Sequence, residues 1–138
     1  ATLGRLRAAG VSLGLSTGKG RFTTDSTLRH IRLNEYFDFV LTGDDVTCNK
    51  PDPEPLLRMI AETGCAPAET LMVGDALADV RCARVVGAFA ALALWGRKDT
   101  RPEEKDALAR REAHALFSSV GEFDAWLSER IPAPPAPA

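Results

Sequence analysis

The run Leu71-Met72-Val73-Gly74-Asp75-Ala76-Leu77-Ala78-Asp79 does more than any other segment to limit what this chain can fold into. An apolar strand that stops at Gly-Asp delivers a carboxylate to the carboxyl end of a buried strand, the place where open α/β sheets put their ligands. With a helix beginning beyond Ala76, Asp79 falls about one turn from Asp75, and both acids face one crevice. Two carboxylates side by side call for a cation, and hard oxygen donors with room for water suit Mg²⁺ better than a soft metal. Taken alone, the pair is better read with Asp75 as no more than the N-cap of that helix.

Two other segments bear on the choice. Asn49-Lys50-Pro51-Asp52-Pro53-Glu54-Pro55 places a lysine directly after an expected strand, with prolines suited to a first helical turn. Val11-Ser12-Leu13-Gly14-Leu15-Ser16-Thr17-Gly18-Lys19 is a strand ending in hydroxyls, a glycine turn and a lysine. A hydroxyl, backbone N–H groups, a lysine and an acidic metal site are the parts of a phosphate clamp. Thr17 with the Gly18 N–H would hold a phosphate oxygen, although a hydroxyl capping the next helix accounts for Thr17 as well. Ser16 and Lys19 are weaker candidates.

Alternation of elements predicts a mostly parallel sheet flanked by helices. Helices are expected over residues 2–9, 22–33, 53–63, 77–86 and 120–129, with a solvated charged helix within 99–112. Strands are expected over residues 11–16, 37–42, 70–73, 88–94 and 115–117. Residues 1–130 read as one domain, and the Pro/Ala-rich tail 131–138 as disordered. With 45% hydrophobic residues the chain can bury a core, and a net charge of −2 gives no electrostatic case for nucleic acid or an anionic membrane. No stretch reads as a signal peptide or is apolar enough to span a bilayer. Cys48, Cys65 and Cys82 fit neither a Cys-x-x-Cys pair nor a zinc pattern and read as free thiols of a reducing, cytoplasmic compartment. The chain opens at Ala1 without Met, as a trimmed or partial chain would, and as one that has lost its initiator Met before Ala would too.

In order, Leu15-Ser16-Thr17-Gly18-Lys19, Tyr36-Phe37-Asp38, Gly43-Asp44-Asp45, Lys50-Pro51-Asp52-Pro53-Glu54, Val73-Gly74-Asp75, Asp79 and Trp95-Gly96 resemble the second half of the haloacid dehalogenase (HAD) superfamily, in its phosphoglycolate phosphatase-like branch. The resemblance covers residues 3–127. It implies a three-layer Rossmann-like α/β fold and Mg²⁺-dependent hydrolysis of a small phosphomonoester through an aspartyl-phosphate. It also implies roles: Asp75 as Mg²⁺ ligand, Asp79 as a ligand through water or as the residue that orients Lys50, Lys50 as the cation that neutralises the phosphoryl group, and Thr17 and Gly18 as phosphate contacts. One departure is Ala76, where relatives of this branch carry Ser.

The family opens with an Asp-x-Asp-x-Thr/Val loop whose first Asp is the nucleophile, followed by a helical cap that selects the substrate. Neither is present in these residues. The fold is therefore expected to lack its first, central strand, leaving the strands at 11–16 and 70–73, apolar enough for burial on both faces, with open edges. Those edges should pair directly or drive self-association. Three functions follow: a HAD-type phosphatase of which this chain is the carboxyl-terminal portion and inactive alone, a non-catalytic phosphate-binding or interaction module, and a truncated remnant.

Overall fold

The computed structural model describes residues 2–96 and 102–131, with Ala133 and Ala136. Most of the Pro/Ala tail, for which disorder is expected, lies outside the described residues, as does the start of the charged segment at 99–112. The chain divides into two compact units: Ala1–Thr47 with Phe123–Ala138, and Cys48–Glu122.

The first unit contains α1 (Thr2–Ala8), β1 (Gly14–Ser16), α2 (Arg21–His30), β2 (Phe39–Leu41) and most of α6 (Val120–Ser128). β1 and β2 are parallel, in the register Gly14↔Phe39 to Ser16↔Leu41. Below the strands, the Asp38 carboxylate accepts the Leu13 N–H at 2.8 Å and fixes where pairing begins. Arg5 of α1 ties that helix to α6 through a 2.7 Å ion pair with Asp124 and a further hydrogen bond to the Ser128 hydroxyl. The core here is small, its apolar members including Leu6, Leu28, Phe123 and Leu127.

The second unit holds α3 (Glu54–Thr63), a 3-10 turn (Pro67–Glu69), β3 (Leu71–Gly74), α4 (Leu77–Val86), β4 (Phe89–Ala93), α5 (Glu103–Glu112) and β5 (Ala115–Phe117). Its sheet is parallel in the order β3-β4-β5. Leu71 is opposite Phe89, and Ala91 is opposite both Val73 and Ala115. Leu56, Met59 and Ile60 of α3 recur at helical spacing, and the first two are buried. Val80, Cys82 and Ala83 of α4 join Leu56, Ala88, Ala90, Leu92 and Ala109 in one cluster. Both α3 and α4 end on a left-handed glycine, Gly64 at φ 70° and Gly87 at φ 87°, as chain reversal without a Cβ penalty requires. Arg81 of α4 grips Glu112 of α5 with two hydrogen bonds of 3.0 and 2.9 Å. That contact raises the guanidinium pKa and lowers that of the carboxyl.

The helices and parallel strands appear where expected, with α4 and β5 matching at both ends. β1 is shorter than expected, three residues instead of six. Burial of β1 and β3 on both faces is not found: Gly14 and Val73 are exposed and their strand neighbours only part-buried. Among the described strands, β4, which lies between β3 and β5, has four of its five residues buried. β1 ladders with β2 in the first unit, and β3 with β4 in the second.

Candidate functional site

In the second unit the chain leaves β3 at Gly74 and enters α4 after Asp75 and Ala76. Asp79 folds back over this turn. Its Oδ2 accepts the N–H groups of Asp75 and Ala76, each at 3.1 Å, satisfying donors that a helix start leaves orphaned. Its Oδ1 meets Lys50 Nζ at 2.8 Å, the two side chains being 18% and 12% exposed. A pair so shielded keeps much of its attraction, which water would screen at the surface. A Cβ on Gly74 would run into the Asp79 side chain, so glycine is required here for space.

Asp75 itself is exposed at the strand end, and the N-cap position of α4 is occupied by Ala76. The capping role expected of Asp75 falls to Asp79, three residues into the helix. Of the two roles the resemblance implies for Asp79, contact with Lys50 is the one this geometry provides. A metal would find one exposed carboxylate, Asp75, and a second whose oxygens already serve Lys50 and two amides. Asp75 could hold a metal directly, and Asp79 could reach one only through water.

Lys50 is delivered by the loop Cys48–Pro51, which includes a cis Lys50–Pro51 bond. Asp52 Oδ1 accepts the Glu54 N–H at 2.9 Å, and Glu54 Oε2 reaches back to the Cys48 N–H at 2.8 Å. These contacts make Asp52 and Glu54 braces of the loop that carries Lys50, a role that the spacing of acids in the sequence did not reveal. They also explain why potential ligand atoms of Cys48, Asp52 and Glu54 lie within 4.8 Å of one another. Beneath the loop, Cys82 is fully buried, and burial pushes its thiol pKa up. A cleft of about 350 Å³ opens beside the α4 start, lined by Pro51, Ala76, Ala78, Arg81, Lys105 and Asp106 among others.

The first unit carries the other expected group. Thr17 and Gly18 follow β1 directly, with the Thr17 N–H extending the ladder to the Leu41 carbonyl at 3.0 Å. Thr17 Oγ1 accepts the Lys19 N–H at 3.2 Å. It therefore bends its own turn; the N-cap of α2 is Gly20, and the Arg21 N–H goes to Asp44 at 2.7 Å. A Cβ on Gly18 would meet nothing within 4 Å, so its backbone borders open space. His30 is exposed on α2, and His114 stacks on Phe89 with Nδ1 accepting the Ala90 N–H at 2.9 Å, a packing arrangement.

Residues 1–93 of the 138 match the family model for haloacid dehalogenase-like hydrolases. Phosphoglycolate phosphatase from Salmonella paratyphi A is 42% identical over 122 residues, which span 88% of this chain and 46% of that protein. Pyrophosphatase PpaX from Bacillus velezensis is 40% identical over 94 residues, 68% of this chain and 44% of that protein. Among solved structures, a HAD phosphatase from Thermococcus onnurineus superposes with a TM-score of 0.74 at 33% identity, covering 91% of this chain and 54% of that one. The chain spans about half the length of the curated relatives it matches. Motif order, parallel α/β topology and these matches together make the chain a member of the haloacid dehalogenase-like hydrolase family, of phosphatase ancestry.

Proposed function

We propose that this chain carries the charge-neutralising and phosphate-holding parts of a Mg²⁺-dependent phosphatase acting on a small phosphomonoester. The observation that carries the reading is the shielded Lys50–Asp79 pair at the end of β3, beside the exposed Asp75. An ammonium fixed by a carboxylate cannot turn away, so it offers a developing phosphoryl charge a preorganised partner. Asp75 would hold Mg²⁺, which when bound supplies Lewis-acid stabilisation of phosphoryl oxygens. In the first unit, the Thr17 hydroxyl and the Gly18 N–H would each donate to a phosphoryl oxygen. No Asp-x-Asp-x-Thr/Val segment occurs in the 138 residues, so we assign no nucleophile and expect the chain alone to be inactive.

The family resemblance supports a cytoplasmic location in this reading, and the three cysteines are free thiols. None of the described helices is long and apolar enough to cross a membrane. β1 and β3 each have one ladder partner among the described strands, which favours self-association through their second edges. Purified chain assayed with p-nitrophenyl phosphate and Mg²⁺ should show no turnover above the Asp75→Asn variant. Supplying in trans a polypeptide with the Asp-x-Asp segment should restore turnover that depends on Lys50. Sustained turnover by the chain alone, or restored turnover unaffected by Lys50→Met, would sink the proposal.

A further inference from the structure

The Gly43-Asp44-Asp45 turn has no part in the chemistry above, yet it touches the Thr17–Gly18 turn at more than one point. We infer that Gly43 and Asp45 are positioning residues for the Thr17–Gly18 phosphate contact, an inference that rests on the phosphate reading of that turn. Gly43 donates its N–H to the Lys19 carbonyl at 2.8 Å. A Cβ at Gly43 would fall against the Gly18 carbonyl oxygen, well inside van der Waals contact. Because that neighbour is backbone, the Gly18 and Lys19 peptides would have to shift to admit a side chain.

Asp45 fixes where Gly43 lies. Its Oδ2 accepts both the N–H and the hydroxyl of Thr42, at 2.7 and 2.8 Å, and Thr42 is fully buried. The same oxygen takes the Arg21 guanidinium, whose Nη2 also donates to the Val40 carbonyl at 2.9 Å. Arg21 begins α2, immediately after the turn that Thr17 opens, and its N–H goes to Asp44. Carboxylate, buried threonine and arginine thus close a frame around residues 17–20, while Gly18 keeps its open side for an anion.

The test is backbone amide NMR of the chain titrated with inorganic phosphate, in wild type and in Thr17→Val, Gly43→Ala, Asp45→Asn and Asp38→Asn. Phosphate should shift the Thr17 and Gly18 amides of wild type, and Thr17→Val should abolish the response. Gly43→Ala and Asp45→Asn should weaken it about tenfold and displace the ligand-free Gly18 and Lys19 resonances. Asp38→Asn, which weakens the Leu13 contact at the opposite end of β1 by removing its charge, should lower Tm but leave phosphate affinity unchanged. Wild-type affinity in Gly43→Ala and Asp45→Asn overturns the positioning role while leaving the phosphate reading intact. A wild type whose amides ignore phosphate overturns both. Should Gly43→Ala fail to fold, the isosteric Asp45→Asn decides alone.

Discussion

Two strands end in glycine-containing turns, β1 at Thr17–Gly18 and β3 at Gly74–Asp75, and the turns are held in different ways. After β3, a single buried carboxylate does the holding: Asp79 binds two amides and Lys50 at once. After β1, the holding comes from a neighbouring turn, through Gly43 and the Thr42–Asp45–Arg21 contacts. The amide contacts of the first device are local in sequence, since Asp75 and Asp79 are four residues apart, while its Lys50 contact is not. The second joins residues more than twenty positions apart. A charge needed at one fixed point is well served by a short, buried contact, whereas an exposed backbone N–H can be aimed only by constraining the peptides around it.

The two units also differ in how much core supports their turns, and that gives the largest expected effect. Leu92 is fully buried on the central β4, so Leu92→Ala should cost about 3 kcal/mol. Leu15 on β1 is only part-buried, and Leu15→Ala should cost about 1 kcal/mol. Urea unfolding of both variants measures the contrast, and equal losses would break it. Next in size, Asp79→Ala strands Lys50 and two amides together and should cost about 2 kcal/mol, while Lys50→Met, which leaves the amide contacts intact, should cost less. Equal losses in the two variants would show that the amide contacts contribute nothing.

A smaller effect concerns Mg²⁺. With one exposed carboxylate the affinity should be about millimolar, so a few millimolar Mg²⁺ should stabilise the chain by about 1 kcal/mol, and Asp75→Asn should remove the effect. Titration calorimetry showing submicromolar affinity would mean a more complete ligand set than Asp75 and Asp79 supply. The smallest effect is set by acid. The N–H and hydroxyl of Thr42, and then Arg21, hold the Asp45 pKa below its ordinary value of 3.8. A carboxyl depressed in the folded state contributes stability above its unfolded pKa and loses it as pH falls through the folded one. The Tm difference between wild type and Asp45→Asn should therefore be a few degrees near neutrality and close below about pH 4. A gap independent of pH would show that the charge on Asp45 is irrelevant to the frame.

Much of this was legible residue by residue. The periodic apolar positions of α3 and α4, the terminating Gly64 and Gly87, and the apolar run into Gly74-Asp75 announce their own structure, because each depends on neighbours within one or two turns. Thr17, Gly18, Lys50, Asp75 and Asp79 stood out for the same reason: their chemistry is written in short motifs. What could not be read was the division of labour among them. Asp79 rather than Asp75 caps α4, Thr17 bends its own turn instead of capping α2, and Asp52 and Glu54 brace the loop that carries Lys50.

By itself, then, the sequence determined the α/β alternation, the strand ends that bear polar groups, and the membership of a hydrolase family whose motifs are spaced along one chain. Only the tertiary structure decided that β1 and β3 are half-exposed strands in two separate sheets, that a glycine at position 43 exists to admit the Gly18 carbonyl, and that Asp45 is engaged by Thr42 and Arg21. The physical reason is range. Propensity and periodicity act over a few residues, while burial and close backbone approach depend on which segments the chain brings together, and no local pattern encodes that partner.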